Sequence, residues 1–151
     1  MSKTLKTAIP FIILIVFAGT SIAPLLSTNS MKEFSASFEK TTFLQVPSTG
    51  EVLGSATRTY ENDIFSLTLS ASLTEPKEDN HYEAWIIRLT PFKITDIGQV
   101  SKSESGTYDL QYTESNTGAD YEDFSTIVIT EESDSETAET PNEIHVLEGT
   151  F

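Results

Sequence analysis

With 151 residues, the chain is long enough for one domain with a sizeable core but too short for two. Its 9 Lys and Arg against 23 Asp and Glu give a formal net charge of −14, which excludes nucleic acid and an anionic membrane surface as the main partners. It contains no cysteine, which excludes a disulfide framework, a thiolate zinc site and a cysteine nucleophile.

The N-terminus has the form of an export signal. Lys3 and Lys6 precede an apolar stretch over residues 8–18, as in the basic and apolar regions of a signal peptide. If nothing is cut, residues 8–26 are long enough to cross a bilayer as a helix, which takes about 20 residues, with the two lysines inside. A cleaved signal peptide and an uncleaved membrane anchor both fit this pattern, and a buried core helix is a third alternative. The first two place residues 27 onward outside the cytoplasm.

Three regions follow from this division of the chain. Residues 1–26 are the signal peptide or anchor helix, and the polar, Ser/Thr-rich residues 27–41 are expected to be a linker. Residues 42–151 are expected to form the folded domain. Short runs of β-branched and aromatic residues, separated by turn residues, are typical there of an all-β fold, an immunoglobulin-like antiparallel β-sandwich of seven to nine strands.

Alternation of apolar and polar residues defines the strands. Ile64–Leu73 gives the clearest case, because apolar residues recur at every second position with serine or threonine between them. Tyr82–Leu89 is apolar on both faces, which predicts a central strand, and Gly98 is expected near a β-bulge. The other predicted strands are Thr42–Val46, Glu51–Tyr60, Ile94–Lys102, Thr107–Thr113, Phe124–Thr130 and Glu143–Phe151.

Five short segments, in order along residues 50–151, carry a common pattern. A Tyr-x-x-Trp strand is followed by a Gly-containing strand, a Gly-initiated strand, a strand similar to Val-x-Val-Thr-x-Glu and a Pro-led segment ending in a Leu-x-Gly strand. Together they resemble the extracytoplasmic C-terminal domain of RskA-type anti-sigma-K factors, which implies a sensor-like outer domain. The segments are YEAWII (82–87), DIGQV (96–100), SGTYDLQY (105–112), STIVITEE (125–132) and PNEIHVLEGTF (141–151).

The chain departs from that family at two places. Members typically have Glu-Pro and a Gly-Gly turn after the Val-Thr strand, where this chain has the acidic segment Glu131–Ser135. Members also hold their sigma factor with a cytoplasmic N-terminal domain, whereas about seven residues precede the apolar stretch here. The resemblance therefore implies the outer module without the effector, so any regulation would need a separate partner.

Catalytic motifs are sparse in the sequence. His81 and His145 lie at or in predicted strands, and no Gly-x-Ser-x-Gly, HExxH or Gly-rich phosphate loop is present. Glycosidase chemistry needs two carboxylates facing each other across a cleft, and the sequence does not say which acids pair. We therefore expect no enzymatic activity, with a secreted carboxylate-dependent hydrolase as the alternative.

One acidic segment is the candidate for metal binding. Five acids fall within residues 131–139, which contain no Lys or Arg, and calcium binds such oxygen-rich loops. The spacing of an EF-hand is missing, and a solvated charged loop is the simpler interpretation. No cofactor is expected; if calcium binds, its candidate ligands are Glu131, Glu132, Asp134 and Glu136.

Trp85 and Tyr121 are the candidates for an aromatic that stacks on a ligand. A tryptophan in the middle of an apolar strand is more often part of the core, and we assign Trp85 there. Tyr121 is expected to be exposed because acids surround it. The predicted core residues are Phe65, Leu67, Leu69, Trp85, Ile87, Leu110, Ile127 and Ile129.

Two functions from different classes fit these observations. The first is an exported, non-catalytic β-domain, tethered to the membrane through residues 8–26 if these are uncut. It would bind or sense an envelope protein, a membrane protein or a surface polymer through loop ends or an exposed sheet edge. The second is a secreted protein acting as a carboxylate-dependent hydrolase or a calcium-binding surface domain. The first is favoured by the export signal, the strand pattern and the family resemblance.

Overall fold

The computed structural model describes residues 37–115, 121–135 and 139–151. Eight antiparallel strands supply the regular structure of these ranges, joined by turns and short loops. The described residues include no helix with the length and apolar character needed to cross a bilayer. The strands are β1 (Phe38–Gln45), β2 (Val52–Glu61), β3 (Ile64–Ala71), β4 (Asn80–Leu89), β5 (Phe92–Lys102), β6 (Tyr108–Ser115), β7 (Thr126–Ser133) and β8 (His145–Thr150).

The strands close into a barrel in the order β1-β2-β3-β6-β5-β4-β7-β8. Two of the junctions are short. β5 and β6 pair only through Ser101 with Asp109 and Lys102 with Tyr108, and β1 and β8 pair only through Gln45 with Glu148. The barrel is therefore two four-stranded sheets, β1-β2-β3-β6 and β5-β4-β7-β8, joined at two narrow seams.

The expected all-β antiparallel domain of seven to nine strands is confirmed. The separate sheets of a sandwich are replaced by a closed arrangement, in which short ladders join the sheet edges at both seams. β1 begins at Phe38, so residues 38–41 of the expected linker belong to the first strand, where they pair with β2. The expected signal or anchor segment, residues 1–26, lies outside the described residues.

The apolar side of each strand faces the barrel interior. In β3, Phe65, Leu67 and Leu69 are buried, while Ser66, Thr68 and Ser70 between them are half-buried or exposed. Burial of such side chains, each stabilising by about 1.5 to 3 kcal/mol, is the main stabilising contribution to the barrel. Six of the predicted core residues are fully buried, and Ile87 and Leu110 are half-buried. The six are Phe65, Leu67, Leu69, Trp85, Ile127 and Ile129.

Strand β4 is apolar on both faces, as expected. Ala84 and Ile86 belong to the interior core, whereas Trp85 lies on the opposite face, across from Val128 of β7. Trp85 is nevertheless only 1% exposed, and its Nε1 donates a hydrogen bond of 2.9 Å to Thr130 Oγ1. Opposite this strand, the register shifts by one residue beside Gly98, whose φ of 112° fits the expected bulge.

A buried arginine occupies one end of the barrel. Arg58 of β2 is 2% exposed, and its Nη1 donates to the backbone carbonyl oxygens of Tyr121 and Glu122, each at 3.3 Å, and to that of Phe124. The rings of Phe38 and Phe151 lie 4.9 and 4.8 Å from its guanidinium carbon. Burial lowers the pKa of Arg58, and attraction to the carboxylate of Glu122 opposes that shift.

Replacing the buried tryptophan tests its structural role. Trp85→Ala removes a large buried ring and leaves the Thr130 hydroxyl without its donor, so the free energy of unfolding should fall by about 3 to 5 kcal/mol. The matched control is Phe92→Ala, because Phe92 is 69% exposed and should cost no more than about 0.5 kcal/mol. Urea unfolding monitored by circular dichroism measures both, and equal losses would contradict this placement.

Candidate functional site

The seam between β1 and β8 is the junction of neighbouring strands with the fewest ladder pairs. Gly149 of β8 lies directly against β1, and a Cβ added to it would come within 2.7 Å of the Phe43 carbonyl oxygen and 2.8 Å of Thr42 Cγ2. Only glycine allows two backbones to approach this closely. β8 therefore passes close to β1, although Gln45 and Glu148 form the only ladder pair between the two strands.

A groove of about 420 Å³ runs along this seam. Thr42, Phe43 and Gln45 form one wall, and Glu148, Gly149 and Thr150 are among the residues of the other. A single ladder pair joins the two strands, so regular ladder pairing does not extend along most of their facing edges. Backbone groups on such edges are ready to pair with a further extended chain.

Exposed apolar side chains surround the groove. Phe43 is 65% exposed, Val52 49% and Ile144 77%. Two further grooves adjoin the first. One, of about 310 Å³, shares Phe43 with it, and the other, of about 360 Å³, shares the Val46–Pro47 turn. We call the three grooves and these side chains the seam surface. Exposed apolar side chains that cluster around a concave surface are typical of a binding site.

The charge of the seam surface is negative. Glu148 and Glu143 line its grooves, while no lysine or arginine does so among the described residues. His145 lies between the two acids in sequence, and its Nδ1 is 3.3 Å from Glu148 Oε2. This surface therefore favours an occupant that is neutral or basic.

The predicted calcium ligands bond to different segments of the protein. Glu131 and Glu132 are consecutive in β7, so their side chains point to opposite faces. Glu131 Oε1 accepts hydrogen bonds from the Lys77 backbone N–H at 3.0 Å and the Asn80 side chain at 2.8 Å. Glu132 is buried and accepts one from the Asn142 backbone N–H at 2.8 Å. The two carboxylates thus hold the neighbouring loops rather than converging on one cation.

The other two calcium candidates are Asp134 and Glu136. Asp134 Oδ1 lies 2.7 Å from His81 Nδ1, and Glu136 lies outside the described residues. Among the described residues, no group of three or more His, Asp or Glu side chains is placed to hold a metal ion.

The two aromatic candidates are buried. Trp85 has no ring face open to a ligand, as described above. Tyr121 is 6% exposed, so its expected exposure is wrong. Its ring lies 4.3 Å from that of Phe65 and 5.4 Å from that of Phe124, and its hydroxyl donates to Glu114. Packing onto the end of the barrel outweighs the acidic sequence around it, and burial raises the pKa of Tyr121.

A carboxyl pair lies on the outer face of β4 and β5. Glu83 Oε2 lies 3.0 Å from His81 Nε2, and the carboxyl of Asp96 is near enough to Glu83 to shift its pKa. Burial, followed by the hydrogen bond and the charge of Asp96, raises the pKa of Glu83 from 4.5 to about 7. Neither acid lines the grooves of the seam surface.

Sequence patterns did not identify the seam surface. In the run Thr41–Leu44, Phe43 and Leu44 are adjacent, and each lies two residues after a threonine. Alternation of polar and apolar residues therefore does not show which of these two side chains faces the core. The structure buries Leu44 and exposes Phe43. One available signal was Gly149 in the last strand, because a glycine inside a strand often marks close approach of another backbone.

A scan against models of known protein families gives no match, and comparisons with curated proteins and with solved structures give none either.

The raised pKa of Glu83 predicts a pH dependence of stability. Between pH 4.5 and about 7 the folded protein holds a proton on Glu83 that the unfolded chain has lost. Stability should therefore fall as pH rises through this window, by about 2 to 3 kcal/mol. Glu83→Gln keeps a donor to Asp96 without the charge, so it should flatten this fall and stabilise the protein above pH 7.

Thermal unfolding between pH 4 and 8 measures the effect. Glu104→Gln, in the exposed β5–β6 turn, is the matched control and should keep the slope of the unchanged protein. A Glu83→Gln protein with that same slope would show that Glu83 does not cause it.

Proposed function

We propose that this protein is an exported, membrane-tethered, non-catalytic β-domain that binds an extended segment of an envelope protein. The observation that carries the proposal is the seam surface: two strand edges joined by one ladder pair, with exposed apolar side chains around them. The segment would add as a strand between β1 and β8, a mode in which main-chain hydrogen bonds supply affinity and side-chain pockets supply specificity.

Opening the seam breaks few main-chain hydrogen bonds, while the side chains of Leu44 and Leu147 are buried in one core that spans it. Gln45 and Glu148 are the only ladder partners that an incoming strand must separate. Each backbone hydrogen bond contributes about 0.5 to 1.5 kcal/mol net, and new bonds to the incoming strand replace those lost. Phe43 and Ile144 on either side would then cover the alternate side chains of the bound segment.

Charge favours a basic or neutral segment as the occupant. Glu143 and Glu148 line the seam surface, and the whole chain carries a net charge of −14. Complementary charge raises the rate of encounter and disfavours acidic competitors. A surface polymer is the other class of partner, and the experiment below separates the two.

The export signal and the family resemblance support the location and the role. Lys3, Lys6 and the apolar stretch over residues 8–18 direct the domain out of the cytoplasm and support a tether to the membrane. The resemblance to the outer domain of RskA-type anti-sigma factors supports a sensing role without an effector domain. Binding at the seam requires no catalytic group, metal or cofactor.

Sealing the seam with a disulfide tests the binding mode. The chain has no cysteine, and directly opposed residues of antiparallel strands lie about 4.5 to 5.5 Å apart, which suits a disulfide. The double variant Gln45→Cys with Glu148→Cys should lose partner binding when oxidised and regain it when reduced. Binding is read in living cells as crosslinking from a photoreactive phenylalanine analogue at Phe43 to a protein identified by mass spectrometry.

The matched control lock is Thr57→Cys with Thr68→Cys, which joins two paired strands away from the seam. It should leave the crosslink at Phe43 unchanged. A photoreactive group at Thr68 should give no specific protein adduct. Equal crosslinking from both sites, an effect of both locks, or a polymer as the only adduct would contradict protein binding at the seam.

The intact mass of the protein tests its tether. We expect the protein in washed membranes, with a mass that includes residues 1–26, because the apolar segment is long enough to remain in the bilayer. A soluble form in the medium that begins near residue 22 or 24 would show that the segment is a cleaved signal. The tether would then be wrong, while binding at the seam would remain open to the disulfide test.

A further inference from the structure

The outer side of the seam carries an aromatic ring and a carboxylate on neighbouring strands. Glu148 of β8 pairs directly with Gln45 of β1, so their side chains share one face of the wall. Phe43 precedes Gln45 by two residues in the same strand, which places its ring on that face as well. Diagonal neighbours of this kind lie about 7 to 8 Å apart, a distance that a long side chain can span. Phe43 and Glu148 both line the groove of about 420 Å³.

Both side chains are exposed at this groove. Phe43 is 65% exposed, and the side chain of Glu148 is 44% exposed. One carboxylate oxygen, Oε2, lies 3.3 Å from His145 Nδ1, a contact that holds the carboxylate of Glu148 in place. Among the residues that the structure describes, no lysine or arginine lines this groove. No such side chain of the groove therefore competes with a partner for the carboxylate.

A strand added between β1 and β8 would point its side chains alternately to the two faces of the wall. The inward side chains would lie between Leu44 and Leu147, which are both buried in the core. Because burial of an unpaired polar group is costly, these inward side chains must be apolar. The outward side chains would lie between Phe43 on one strand and Glu148 on the other. The two faces thus select different residues of the bound segment.

A basic side chain fits the outward position with both of its parts. The methylene stem of a lysine or arginine can pack on the Phe43 ring. Its positive charge is attracted by the face of that ring and by the Glu148 carboxylate. A neutral side chain at the same position gains only the contact with the ring, and an acidic one is repelled by Glu148.

We propose that the segment bound at the seam alternates apolar residues with outward residues that include a lysine or arginine, held between Phe43 and Glu148. This inference rests on the proposed function, because the segment must first add as a strand at the seam. It narrows the partner from any neutral or basic segment to one with a definite alternation and a basic residue at a definite place. Phe43 and Glu148 become the residues that determine specificity.

Two short peptides that differ in one charge test the inference. Both alternate valine with threonine, and the central outward position holds arginine in one peptide and citrulline, an uncharged analogue of similar shape, in the other. Each peptide is titrated to millimolar concentration into the isotope-labelled, full-length protein in phosphatidylcholine nanodiscs, and the backbone amide resonances are recorded. We expect both peptides to shift the amides of residues 42–45 and 147–150. The arginine peptide should bind about three- to tenfold more tightly.

Three variants assign this preference to its residues. Glu148→Gln keeps the shape of the side chain without its charge, and Phe43→Leu keeps an apolar side chain without an aromatic face. Each should reduce the preference for arginine, and the double variant should remove it. Glu61→Gln is the matched control, because Glu61 is an exposed acid at the end of β2 that lines none of the three grooves. It should keep the full preference, and the amide spectrum shows whether each variant is folded.

The outcomes separate this inference from the proposed function. If both peptides shift the seam amides with equal affinity, the basic residue is overturned and strand binding at the seam stands. If Glu61→Gln lowers the preference as much as Glu148→Gln does, the arginine responds to the net charge of −14 rather than to this position, and the inference is again overturned. If neither peptide shifts the seam amides, binding at the seam and the inference are both overturned.

Discussion

The contacts of Arg58 hold together one end of the barrel. Its guanidinium joins the carbonyl oxygens of the loop before β7 to the aromatic rings of Phe38 and Phe151, at the two ends of the described chain. A buried charge is tolerated only when dipoles or aromatic faces surround it. A lysine has neither the planar shape that fits between two rings nor the fork of donors. Arg58 therefore helps to fix the loop at residues 121–124, and with it the packing of Tyr121 on Phe65.

The number of ladder pairs between neighbouring strands varies around the barrel wall. Long ladders join most neighbouring strands, whereas β1 meets β8 at one pair and β5 meets β6 at two. The interior core is continuous across both seams, since Leu44 of β1 and Leu147 of β8 are both buried in it. A wall with full ladders would be more resistant to opening but would offer no strand edge. The proposed binding site thus lies where main-chain bonding is weakest and side-chain packing still supports the strands.

The alternation of apolar and polar residues in the sequence predicted most of the strands, because burial in β3 follows the same period of two. The two apolar faces of β4 likewise predicted the burial of Trp85. Closure of the barrel was not predictable, since it depends on which non-adjacent strands meet. Tyr121 and Phe43 show the limit for single residues. Tyr121 is surrounded by acids in sequence but by aromatic rings in space, and Phe43 competes with Leu44 for the same strand.

The contact of both Phe38 and Phe151 with one guanidinium has a consequence for folding. Phe38 and Phe151 must meet around Arg58 before it is enclosed, and these two phenylalanines are more than one hundred residues apart in the sequence. Loop-closure entropy opposes such contacts until most of the intervening chain is ordered. The hairpins β2–β3 and β4–β5 can form locally, but the seam and the arginine sandwich form late. A late-forming seam is also the first part of the native wall to exchange its amide protons with solvent.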